Sequence, residues 1–81
     1  MAAPVPDDEA VYDSGGWQFG DMRARVRASD LRLVVTYKPN GQMVGVLTPS
    51  RGGYKAMHVQ VGELGWYPTV GKAMRAIWEA D

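Results

Sequence analysis

Arg23, Arg25 and Arg27 recur at a spacing of two, with Met22, Ala24, Val26 and Ala28 around them. Guanidinium groups are permanent cations with forked donors, and they recognise carboxylates and phosphates. On an extended chain this spacing sets all three on one face, about 6.5–7 Å apart. That suits successive phosphates of a nucleic-acid strand, or the carboxylates of an acidic protein surface. Arg32 follows on what reads as the neighbouring strand, and Arg51 and Lys55 flank a glycine-rich turn. Tyr54 could stack on a base, and Trp66 could anchor a partner. Arg23, Arg25, Arg27, Arg32, Arg51, Lys55, Tyr54 and Trp66 are thus the candidate partner-binding residues. An ordinary sheet with one solvated basic face alternates in the same way. Trp66-Tyr67-Pro68-Thr69 also has a structural reading, in which one of the aromatics staples the first turn of a following helix.

Catalytic material is scarce. His58 is the one histidine, and the chain has no cysteine. A lone histidine without thiolates does not build a usual zinc site, and a cysteine nucleophile is excluded. Ser14, Ser29 and Ser50 all fall in tail or turn positions, so no Ser-His-acid arrangement is suggested. Ser50-Arg51-Gly52-Gly53 is glycine-rich but lacks the Gly-Lys-Ser/Thr ending and following helix of a phosphate loop. The expectation is a protein that is not an enzyme and uses no cofactor and no metal.

The chain has 81 residues and a formal net charge of zero, yet its charges are segregated. Residues 1–21 carry Asp7, Asp8, Glu9, Asp13 and Asp21 and no base. Residues 22–62 carry seven cations against Asp30 alone. A neutral total therefore conceals a basic middle. A chain this short holds one domain with a small core. Its three tryptophans and four tyrosines supply enough bulk to anchor that core. The absence of cysteine fits a reducing cytoplasm. No apolar run approaches the ~20 residues of a membrane span. The Met-Ala-Ala-Pro-Val-Pro start does not read as a secretory signal.

Residues 1–15, with two prolines and an acidic trio, read as a disordered acidic tail, and 16–81 as one α+β domain. Trp17-Gln18-Phe19 alternates, then Gly20-Asp21 breaks the parity before Met22–Ala28, which suggests a bulge or bend within one strand. Leu31–Lys38 reads as a second strand, with Leu31, Leu33, Val35 and Tyr37 on one face. Pro39-Asn40-Gly41 is a hairpin turn. Gln42–Thr48 is a third strand, and 49–53 a flexible turn. Tyr54–Val61 is a fourth, with Lys55, Met57, Val59 and Val61 sharing one face. Residues 62–68 read as a connection, and Thr69 as a helix N-cap. Val70, Ala73, Met74 and Ile77 then form an apolar helical stripe. The expected fold is a small antiparallel sheet of three to four strands with one C-terminal helix packed on one face and the arginines on the other.

The segment Gly65-Trp66-Tyr67-Pro68-Thr69-Val70-Gly71-Lys72-Ala73 through Glu79 resembles the ending of a group of small bacteriophage accessory proteins. In those proteins a short sheet leads into Tyr-Tyr-Pro-Thr/Ser and a helix. Ala73 matches their alanine; Trp66 replaces the first tyrosine, and Gly71 departs from the acidic or Gln residue usual there. The resemblance implies a phage or prophage gene in a GC-rich bacterial host, and action in the host cytoplasm. The implied role is binding and modulation of a host protein or nucleoprotein complex, such as a defence or nucleic-acid-processing complex. The sheet-plus-helix layout is also similar to the plant ethylene-response type of DNA-binding domain, whose outward arginines enter the major groove. Direct nucleic-acid binding through the same arginine face is accordingly the alternative.

Overall fold

The computed structural model describes residues 11–13 and 16–80. Seven strands run in strict sequence order through one antiparallel sheet. They are β1 (Val11–Asp13), β2 (Gly16–Phe19), β3 (Met22–Val26), β4 (Leu33–Tyr37), β5 (Gln42–Ser50), β6 (Gly53–His58) and β7 (Gly62–Tyr67), followed by the helix α1 (Val70–Ala80). The expected class, an antiparallel sheet with one C-terminal helix, is present. The expected count of three to four strands is too low. Three-residue β1 is a short edge added to a six-stranded meander, β2–β7.

The additional strands come from turns that the hydrophobic pattern under-reads. Gly20-Asp21 is not a bend within one strand but a two-residue hairpin turn, closing Phe19 against Met22, with Gly20 at φ 58°. Residues 59–61 are likewise a turn, and the supposed connection after them pairs with β6 as β7. Of the segment expected as an acidic tail, residues 11–13 pair with β2. Residues 1–10 and 14–15 lie outside the described residues, as does Asp81.

Cross-strand partners share a face, so register decides what is buried. Leu33 lies opposite Leu47, and Leu47 opposite Ala56. These inward residues join Phe19, Met22, Ala24 and Val35 in the core with Val70, Ala73, Met74 and Ile77 of the helix. The two-residue turn at Arg51-Gly52, both at positive φ, fixes the β5–β6 register. That register turns Ala56 and His58 inward. Lys55 and Met57 therefore face outward, and Val59 and Val61, expected on the same strand face, sit exposed in the turn instead.

Thr69 caps the helix as expected: its Oγ1 accepts the Lys72 N–H at 3.1 Å. The helix packs on β6 and β7 and also reaches β2 and β5. The rings of Phe19 and Trp78 meet edge to face at 6.3 Å. In a flat sheet β2 and β7 would lie about 24 Å apart. A helix of this length is about 16 Å long and narrower than that, so the sheet curves around it. Two bulges help it curve. Val44 is the extra residue in β5 opposite Val35–Thr36, and Leu64 the extra residue in β7 opposite Ala56–Met57. No helix among the described residues is long and apolar enough to cross a membrane.

Candidate interaction face

Met22 and Ala24 are buried beneath the helix, so alternation along β3 sends Arg23 and Arg25 to the opposite, convex face. The registers then build that face row by row. Arg25 lies opposite Val34, Val34 opposite Val46, and Val46 opposite Met57. Beside this row run Gln18, Arg23 and Thr36 on one side. On the other run Thr48, Lys55 and Trp66. The centre is thus apolar, with a pair of arginines at one end and Lys55, Trp66 and Glu63, which lies opposite Met57, at the other. Met57 is 50% exposed and Trp66 46% exposed, although both are large apolar side chains. The Trp66 indole is held in place, because its Nε1–H donates to the Ser50 carbonyl at 2.7 Å. Gly53 lets the indole lie flat there: an added Cβ would come within 2.6 Å of the ring.

Of the candidate residues, Arg23, Arg25, Lys55 and Trp66 share this face. Lys55 Nζ also pairs with Glu63 at 3.0 Å. Tyr54 does not join them; it lies half-buried on the helix side, packed against the core. Arg51 is exposed in the β5–β6 turn, at φ 53°.

Arg27 and Arg32 lie beyond the strand ends, in the turn between β3 and β4. There Asp30 binds both. Arg27 Nε and Nη2 donate to its two carboxylate oxygens at 3.1 and 2.6 Å, and Arg32 Nε lies at 3.8 Å. The Arg27 hydrogen bonds lower the Asp30 carboxyl to about 2, assisted by the Arg32 backbone N–H. Two of the four clustered arginines are therefore held in the turn by one carboxylate, which offsets one of their two charges, and the expected three-rung ladder has two rungs on the sheet.

The sequence reading missed Val34, Val46 and Met57, which link the two charged ends. The signal was Val34: it shares a face with Arg32 and Lys38 in the alternation, an apolar residue where the pattern is otherwise polar. Met57 carried no such signal, because only the β5–β6 register reveals which way it faces.

His58 is buried, at 3% exposure, and has a structural task. Its Nδ1 accepts the backbone N–H groups of Gln60 and Val61, which organises the turn into β7. With Nδ1 as acceptor, the proton of the neutral ring sits on Nε2. Among the described residues no three of His, Asp and Glu gather closely enough to hold a metal ion. Comparison of the chain with protein families, curated proteins and solved structures finds no match in any of the three.

Proposed function

We propose that this protein is a non-enzymatic binding module that docks its convex sheet face on the surface of a protein partner. One observation carries the reading: the continuous row Arg25–Val34–Val46–Met57, with Arg23 and Trp66 beside it, on the face opposite the helix. Arginine, methionine and tryptophan are residue types enriched where proteins meet. An apolar centre between charged ends suits a partner patch with its own apolar centre and carboxylates at the Arg23–Arg25 end. A phosphate backbone would leave Val34, Val46 and Met57 without a counterpart, which favours protein over nucleic acid. In the setting implied by the resemblance of residues 65–79, the partner is a component of a bacterial host complex, and the module modulates it.

The test is affinity capture from bacterial lysate with wild type, Arg23→Ser/Arg25→Ser and Met57→Ser. Lys72→Ser, on the exposed side of the helix, serves as control. The expected result is one captured protein, retained after nuclease treatment, kept by the helix control and lost by both face variants. Capture that nuclease abolishes, with Met57→Ser unaffected, would instead support the nucleic-acid reading. Capture indifferent to all three substitutions would remove this face from the functional account.

A further inference from the structure

At one end of the sheet, three turns converge beside the last turns of the helix: residues 20–21, 38–41 and 59–61. Between them lies a cleft of about 500 Å³. That volume is within the range of small-molecule sites, which combine apolar walls with a few polar groups. Tyr37 and Trp78 supply aromatic lining, and Met43 and Ile77 aliphatic lining. Asn40, Gln42 and Gln60 supply three side-chain amides, each both donor and acceptor. Asp21 supplies a carboxylate, and no lysine or arginine lines the cleft.

The polar groups are only partly used by the fold. Asn40 Oδ1 accepts the Gln42 backbone N–H at 2.9 Å, which forms the turn, and Asn40 Nδ2 donates to Gln42 Oε1 at 3.5 Å, which leaves Gln60 as the amide with no side-chain partner among the described residues. Among the described residues, no side chain pairs with the Asp21 carboxylate or the Gln60 carboxamide. The nearby Lys38 ammonium is directed elsewhere, donating to Gln18 Oε1 at 3.0 Å. The Asp21 carboxylate therefore faces the cleft without an ion pair to a lysine or arginine.

This combination selects a ligand chemistry. Aromatic lining favours a planar ring. Amides favour an edge that carries donors and acceptors together. A carboxylate in a lining without lysine or arginine disfavours anions. We propose that the cleft between Tyr37, Trp78 and these three turns binds a planar nitrogen heterocycle without negative charge, a nucleobase or nucleoside in chemical class. This site is separate from the convex face and stands or falls independently of it.

The experiment is a titration of the ¹⁵N-labelled full chain with adenosine and with cytidine, and in parallel with their 5′-monophosphates. The expected result is saturable shifts at the Gln60 side-chain amide and the Trp78 indole N–H. The monophosphates should bind about tenfold more weakly. Asp21→Asn, a substitution at an exposed turn position, should remove that discrimination while retaining nucleoside binding. Gln60→Ala should weaken the nucleosides and leave the rest of the spectrum in place, which guards against a trivial folding defect. Absence of saturable shifts with both nucleosides overturns the proposal. So does equal affinity for nucleoside and monophosphate in the wild type, or saturable binding that maps outside the cleft.

Discussion

Asp30 is held ionised by Arg27 in the six-residue connection 27–32, and the consequence is measurable. An ordinary aspartate titrates at about 3.9. In the folded protein the Arg27 hydrogen bonds lower this carboxyl to about 2. Because the folded value lies below the unfolded one, the pair contributes stability above about pH 4, and loses it as pH falls through about 2. Carboxyl-detected NMR should place the Asp30 midpoint near 2 in the wild type, and back in the usual aspartate range in Arg27→Ala. A midpoint unmoved by the substitution would show that Arg27 is not the cause. The next residue in that turn is strained. Leu31 stands at φ 60°, a left-handed conformation that costs a residue with a Cβ about 1–2 kcal/mol. It is 66% exposed, so little burial is lost on replacing it. Leu31→Asn should stabilise the protein by about 0.5–1 kcal/mol in urea unfolding, because asparagine tolerates this conformation and the partner-binding face is untouched. A destabilised variant would mean that the leucine side chain has a packing role in the fold.

The helix meets the sheet at Gly45. A Cβ there would lie 2.5 Å from the Met57 carbonyl oxygen and 2.7 Å from Ile77 Cδ1. Ile77 is fully buried, so Ile77→Ala should cost about 2–4 kcal/mol by emptying a core site. Gly45→Ala should cost about 1–3 kcal/mol by overpacking. The double variant should cost less than the sum, since removing Ile77 relieves one of the two clashes. Strict additivity in chemical denaturation would disprove this contact as the seat of the helix. Gly45 also shows what was legible in the chain. The helix was readable because its stripe, cap and burial all follow from local period: Val70, Ala73, Met74 and Ile77 are buried and Thr69 caps them. Strands were readable where alternation ran unbroken, as in Met22–Val26 and Leu33–Tyr37, and where turn signals bounded an apolar run, as in Gln42–Thr48; the extra strands β1 and β7 were not. Val44 and Leu64 each add a residue that shifts parity, and β7 contains Gly62 and Gly65, so its pattern reads as a loop. The outward turn of Met57 depends on a partner strand, and no local pattern encodes it. The arginine pair was legible from spacing alone. The apolar row that joins it to Trp66 required the register of four strands.

A sheet that runs in chain order has two edges, and this one begins with β1. That strand contributes only Val11–Asp13, but it pairs with all of β2 except Phe19, the β2 residue deepest in the core. Composition alone predicts that residues 1–14 contribute little to folding. The topology divides that segment: residues 1–10 carry the prolines and the acidic trio, whereas 11–13 complete an edge. Two truncations separate these parts. A chain starting at Val11 should melt like the full chain. A chain starting at Gly16 should lose about 1 kcal/mol of cross-strand pairing, a fall in Tm of roughly 4–8 °C for a domain of this size. It also uncovers the backbone donors and acceptors of β2, and an open edge invites pairing with another chain. Size-exclusion chromatography should therefore show concentration-dependent association for the Gly16 start and none added by the Val11 start. Equal melting and elution of both truncations would show that β1 does not protect this edge, and that the six strands from β2 to β7 with their helix are the whole folding unit.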